Sequence, residues 1–388
     1  MTEHPQIGMQ VFEQIATEEA GLLLESWQGS YPGMGILALV AEKEREQWVP
    51  QLQKLCNDRG VALCGAVFPA LLAKDRFLDH GCILLRFDVM PFARIYEALE
   101  PYDRTAAETT ARLAEEVTAH QERPRDSSLL LIFDAMVSHI ATILDELYLK
   151  LADRVRYMGI NAGSETFRPI PCLFDNNRTT QGGVLAILLT EHPGAVVEHC
   201  YLAPQRMISA TSTEGNRIIA IDWRPAFDVY QEAAREEYGI DIDRDNFYQY
   251  AVHFPFGIIR ANEEIVVRMP VAVEDDGSIF CVGEVPPNAL LTLLRAPEVD
   301  SRQTVEKLAQ GLATIYGSLA GANLLTFYCA GRRIHLGEAA TGELAALFQR
   351  TGAARQAGAL TLGEIGQSIQ MGYPFFHNGA LVCSRWGR

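Results

Sequence analysis

Nine histidines and eight cysteines are the residues of this chain best equipped to bind or react. A metal site built from several of them needs ligands at short, repeated spacings. No two cysteines stand as C-x-x-C, and no two histidines share a helix at ligand spacing. The pattern therefore argues against a multi-ligand metal centre, whereas a site that needs one imidazole stays open. Two histidines stand out. His199, followed by Cys200, comes after the apolar run Ala195–Val197, at an expected strand end where ligands are often met. His253 lies in the apolar stretch Ala251–Gly257, while His139 reads as a packing residue on a helix face. Most cysteines sit in apolar runs, such as Val61–Gly65 and Ser278–Val282, and read as small buried hydrophobes. Cys329 and Arg332 are of reactive types, but spacing places no base beside them, and no acid/base pair or activated nucleophile emerges.

Other motifs are absent. Gly33 and Gly35 begin no G-x-G-x-x-G, and no G-x-x-x-x-G-K-[ST], H-E-x-x-H or G-x-S-x-G occurs. Asp241, Asp243 and Asp245 have the rhythm of a calcium loop. The sixth position is Asn246 instead of Gly and the twelfth is Val252 instead of Glu, so a solvated turn is expected.

The elements that must position these residues follow from hydrophobic period. Short apolar runs at Gly35–Val40, Val61–Val67, Cys82–Phe87, Ser128–Phe133, Val184–Leu189 and Leu324–Cys329 predict buried strands. Helical spacing links Trp48, Leu52 and Leu55, then Met136 to Leu147, then Val305 to Leu319. Gly60 and Gly239 are placed to stop helices, and Glu274–Gly277 to turn a hairpin. The alternation predicts α/β (or α+β) architecture, with layered mixed sheets and flanking helices. No exact internal repeat is visible, although the C-terminal part repeats the style of the N-terminal part. At roughly 150 residues per domain, the 388 residues suggest two or three domains. Residues 1–30 read as a polar, weakly structured lead-in. The polar stretch Gly239–Asn246 marks a boundary between domains at 31–240 and 241–388.

The chain holds 49 acidic against 33 basic residues, a formal charge of −16. This disfavours nucleic acid and anionic membrane surfaces as partners. The start of the chain has no secretory pattern, and no apolar run approaches the ~20 residues that span a bilayer. A cytoplasmic, reduced location is expected.

The C-terminal quarter carries a recognisable signature. Phe327–Arg333, Gly358–Ile365 and Phe375–Val382, in that order, resemble the C-terminal FIST domain. Gly65–Leu71, Leu130–Asp134, Gly159–Ser164, Pro171–Phe174 and Asp222–Tyr230 resemble the N-terminal FIST domain. The chain departs from the family at Gly159–Gly163, at His199-Cys200-Tyr201 and at Arg268-Met269-Pro270, where a Gly-rich turn, a His-Gly-Trp-like run and an Arg-Asp-Pro run are usual.

The resemblance implies two FIST domains forming a ligand-binding sensor of bacterial signal transduction, not an enzyme. Stand-alone members of this length resemble the nitric-oxide-sensing haemoprotein group. For this chain, that implies haem b, nitric oxide as effector, and a partner histidine kinase or cyclic-di-GMP enzyme. His199 is then the proximal candidate, His253 the second, and Cys200 an alternative thiolate ligand. A metal-free sensor of a small metabolite such as an amino acid would draw instead on Gly163, Ser164, Arg268, Glu364 and His377. A protein-interaction scaffold is a third reading.

Overall fold

The computed structural model describes residues 8–97, 99, 104–261, 264–367 and 372–387. Its strands are assembled from one supersecondary pattern used three times. The first unit runs β1 (Met9–Phe12), α1 (Thr17–Ser30), β2 (Gly35–Ala41), α2 (Arg45–Arg59), β3 (Ala62–Phe68), a hairpin β4 (Leu71–Ala73) and β5 (Arg76–Leu78), and β6 (Cys82–Phe87). The second runs β7 (Ala93–Tyr96), α3 (Arg104–His120), β8 (Ser127–Asp134), α4 (Ile140–Leu151), β9 (Arg156–Ala162), the hairpin β10 (Leu173–Asp175) and β11 (Thr179–Thr180), and β12 (Val184–Thr190).

The third unit opens with β13 (Val196–Glu198) and is then interrupted by an inserted module. The module contains β14 (Ile208–Ser209), β15 (Ser212–Glu214), β16 (Arg217–Ile221), β17 (Arg224–Pro225), α5 (Ala226–Tyr238) and α6 (Phe247–Ala251). It continues with β18 (Phe256–Ile259), β19 (Ile265–Arg268), β20 (Pro270–Val273), β21 (Ile279–Cys281) and β22 (Leu290–Leu293). The unit resumes with α7 (Gln303–Tyr316), β23 (Asn323–Cys329), α8 (Ala330–Leu336), α9 (Ala339–Thr351), β24 (Arg355–Thr361), the hairpin β25 (Glu364–Gly366) and β26 (Phe375–His377), and β27 (Leu381–Trp386).

The three sheets exchange their hairpins in a closed cycle. Their orders are β1-β6-β2-β3-β10-β11, β7-β12-β8-β9-β25-β26 and β13-β27-β23-β24-β4-β5. The second unit's hairpin thus completes the first sheet, the third unit's completes the second, and the first unit's completes the third. Each sheet has one parallel pair, joined through helix, with antiparallel strands outside it. In each pair a glycine stands at the same place. Gly65 faces Ala38, Gly159 faces Leu131 and Gly358 faces Thr326. A Cβ there would come within 2.5, 2.4 and 1.7 Å of the partner's carbonyl oxygen, so the close approach requires glycine. This internal repeat is one that the sequence does not display.

Alternation within the strands explains the core. Leu130 and Ile132, Leu325 and Phe327, and Ile36–Ala41 join one shared hydrophobic cluster. The opposite faces of the second and third sheets, through Leu129, Leu131 and Phe133 and through Leu324 and Tyr328, pack on helices. Strands buried on both faces read as continuous apolar runs, which is why they are conspicuous in the sequence.

Several expectations hold. α2 stops at Gly60 and α5 at Gly239, both at positive φ, and the Glu274–Gly277 turn joins β20 to β21. The expected lead-in differs. Its residues 1–7 lie outside the described residues, but the rest forms β1, paired with β6, and α1, which buries Ala20, Leu24 and Trp27. The stretch Gly239–Asn246 lies within the inserted module, where Ile242 joins the module's own hydrophobic cluster. Among the described residues, no helix is long and apolar enough to cross a membrane.

Candidate functional site

A narrow cleft of about 50 Å³ opens where the third unit meets the inserted module. The loop after β9 supplies Glu165 and Phe167, α6 and its end supply Tyr248 and Val252, and the β19–β20 corner supplies Met269 and Pro270. Cys329, Ala330 and Gly331 form the β23–α8 junction, and Asn378 follows β26. Phe167, Tyr248 and Ile334 remain exposed at its rim, so its entrance is apolar.

Cys329 brings a thiol to the floor of this cleft. Its Sγ accepts the Gly379 N–H at 3.0 Å, and the N–H groups of Gly331 and Arg332 also point to it. Beside it lies Glu364, fully buried on β25. The Glu364 carboxyl accepts the Thr361 hydroxyl at 2.6 Å and the Ala380 N–H at 3.3 Å, and it also bonds the Cys329 thiol. Burial pushes the Glu364 carboxyl up to about 8, against these hydrogen bonds, and pushes the Cys329 thiol up as well. A carboxyl of this kind can hold or take up a proton near neutral pH. Spacing along the chain places no base near Cys329. The partner arrives through the hairpin that follows β24, a contact local spacing does not reveal.

Arg332 anchors the surroundings. Its Nε and Nη2 bond the two oxygens of Glu343 at 2.9 and 2.6 Å, Nη2 also bonds Thr304, and Nη1 bonds the carbonyl oxygens of His199 and Gly379. Tyr328 donates to the same Glu343 at 2.6 Å. One guanidinium thereby ties α7, α8, α9 and the segments before β27 and after β13.

The expected site residues converge only in part. Gly163, at positive φ, donates its N–H to the Val67 carbonyl, and Ser164 bonds Thr166, so both shape the loop that carries Glu165 and Phe167. Arg268 is buried, with its pKa lowered to about 10 by desolvation. It donates to the carbonyls of Glu284, Phe376 and Val267, and so pins β19 to β26 without facing the cleft. His377 is buried, its Nδ1 has no hydrogen-bond partner among the described residues, and desolvation drives its pKa well down. Its ring lies 5.8 Å from that of His199.

A haem ligand needs a free imidazole nitrogen facing a slot for the macrocycle. His199 does not fit. Its Nδ1 accepts the Tyr201 N–H at 3.0 Å, its Nε2 donates to the Ile265 carbonyl at 3.3 Å, and burial lowers its pKa to about 4. Cys200, at positive φ, points its thiol at Glu198 over 3.8 Å, and burial pushes its pKa up, away from thiolate. His253 pairs through Nδ1 with Nδ1 of His335 at 2.6 Å, and His335 Nε2 donates to the Pro297 carbonyl. None of these three residues borders the cleft.

Residues that sequence reasoning missed are Phe167, Tyr248, Met269 and Asn378 of the cleft, and Glu343. None carries a spacing signal, since five separate chain segments bring them together. A family model for the FIST N domain matches residues 34–224, and one for the FIST C domain matches residues 226–367. No curated protein matches the chain. FIST domains are sensory domains of signal transduction. With both domains found along most of its length, this chain belongs to the FIST family.

Proposed function

We propose that this chain is a metal-free sensor that holds a small, largely apolar ligand against the exposed Phe167, Tyr248 and Ile334 at the mouth of the cleft floored by Cys329. One observation carries the reading: the cleft wall is drawn from both FIST domains. Glu165 and Phe167 belong to the first, and Tyr248, Met269, Cys329 and Ile334 to the second. A ligand touching both sides favours one disposition of these walls over another, and a population shift of that kind is what a sensor transmits. The readout we infer is a separate signalling protein, a histidine kinase or a cyclic-di-GMP enzyme, that senses the outer face of α6 and α8. The haem and nitric-oxide form of the sensor has no ligand residue fitted for it at His199, whose two ring nitrogens are both engaged.

The test is a thermal-shift screen of the full chain with apolar metabolites, repeated on Gly331→Leu. The new side chain would enter the cleft beside Met269, whose Cε lies 3.2 Å from the position of a Cβ. Ligands that raise the wild-type midpoint should lose their effect on the variant. Equal shifts in both proteins would place the ligand elsewhere. A Soret band after haem loading, lost in His253→Ala, would overturn the metal-free reading.

A further inference from the structure

A second cavity, of about 240 Å³, lies between β13, α7 and the start of β9, and shares no lining residue with the cleft. One side is apolar, formed by Ala195, Val196, Val197 and Ile315. The other carries Arg156, Lys307 and Glu198. In a chain of net charge −16, two cations against one acid is a local reversal of sign.

These cations are poorly answered. Lys307 reaches Glu198 only at 3.9 Å, and both are partly exposed. Arg156 makes one long bond, from Nη1 to the His192 carbonyl at 3.3 Å, and its buried Nε has no hydrogen-bond partner among the described residues. The Nε of Arg385 nearby is buried and unpartnered too, and both guanidinium groups act on the Tyr316 hydroxyl. His192 supplies no negative charge, and desolvation lowers its pKa to about 4. Burial also raises the Glu198 carboxyl, against the pull of Lys307. Arg156 Nη2 makes no hydrogen bond among the described residues, and with the half-exposed Lys307 ammonium it is left to answer an anion in the cavity.

We propose that this cavity binds a small organic monocarboxylate, received by Arg156 and Lys307, with its short apolar body along Ala195–Val197 and Ile315. A planar carboxylate suits the guanidinium fork. Two cations less one acid leave a single positive charge, which suits a monoanion. The volume equals about eight waters at ~30 Å³ each, which admits on the order of ten non-hydrogen atoms. This site stands apart from the Cys329 cleft and does not rest on it.

The experiment is calorimetric titration of the full chain, at constant ionic strength, with butyrate and benzoate against butyramide and benzamide. The acids should bind saturably and at least tenfold tighter than their amides. Arg156→Gln and Lys307→Gln should each weaken the acids at least tenfold. Lys307 is half exposed, so Lys307→Gln should keep the wild-type melting midpoint and separate lost binding from lost folding. Gly331→Leu, at the other cleft, should leave acid binding unchanged. Equal affinity for acid and amide, undiminished binding in both charge variants, or no saturable binding of either acid at millimolar concentration would each overturn the proposal.

Discussion

The thiol of Cys329 shares a hydrogen bond with the buried carboxyl of Glu364, although two helices and a strand of chain separate them. The pair places an acid raised to about 8 against a sulfur that also accepts backbone N–H groups. Because the folded carboxyl holds its proton more tightly than an ordinary glutamate, its contribution is fully present below about pH 4.3 and is lost as pH rises through 8. Wild-type stability should therefore fall between pH 5 and pH 9 relative to Glu364→Gln. The variant should be the more stable at pH 8, by on the order of 1–3 kcal/mol. Parallel melting curves for the two proteins across that range would refute the assignment.

Histidines set the acid limit. Burial lowers the pKa of His192, His199, His253, His335 and His377. Each folded site favours the neutral ring, so its contribution is present above about pH 6.5 and is lost as pH falls through the lowered value. The melting midpoint should decline steadily from pH 6.5 to pH 4. His253→Asn should shrink that decline, because protonation would put a second charge against His335. An acid limb of unchanged slope in this variant would exclude the His253–His335 pair as a contributor.

The Arg332–Glu343 bridge is almost wholly removed from water. Breaking one side leaves a buried uncompensated charge, which typically costs about 3–5 kcal/mol. Arg332→Met should lose that amount in urea unfolding. The double change with Glu343→Leu should recover more than half, since it removes the orphaned carboxylate. A loss below about 1 kcal/mol for the single change would mean that Glu343 is solvated after all.

Hairpin exchange makes the two FIST domains mutually dependent. A fragment ending at residue 225 lacks β25 and β26, and so exposes the edge of β9, while its own β4 and β5 lose β24. Unpaired sheet edges template aggregation. Each fragment alone should elute as aggregate and lack near-ultraviolet circular dichroism, and co-expression of 1–225 with 226–388 should restore a soluble complex. A monomeric, cooperatively melting N-terminal fragment would contradict the exchange.

Much of the local structure was legible in the sequence. Gly60 and Gly239 mark helix ends because glycine adopts left-handed geometry at no steric cost. The runs at Gly35–Val40 and Ser128–Phe133 mark strands because both their faces are buried. The site was legible only in pieces. Gly163, Ser164 and Glu364 stand out in the sequence, but the first two act through a loop and the third through Cys329. His199 drew attention by its place at a strand end, yet that place is packed, with both its nitrogens engaged.

What the sequence alone determined is the set of elements, their α/β class and the family signature, because periodicity and capping are short-range properties. What the tertiary structure decided is pairing. Ala62–Phe68, Arg156–Ala162 and Arg355–Thr361 occupy equivalent places but share little beyond a glycine at the fourth position. A doubly buried strand accepts almost any apolar side chain of suitable volume, so the repeat leaves a faint trace. Which hairpin completes which sheet, and hence which acid reaches which thiol, depends on contacts between distant segments that no local pattern encodes.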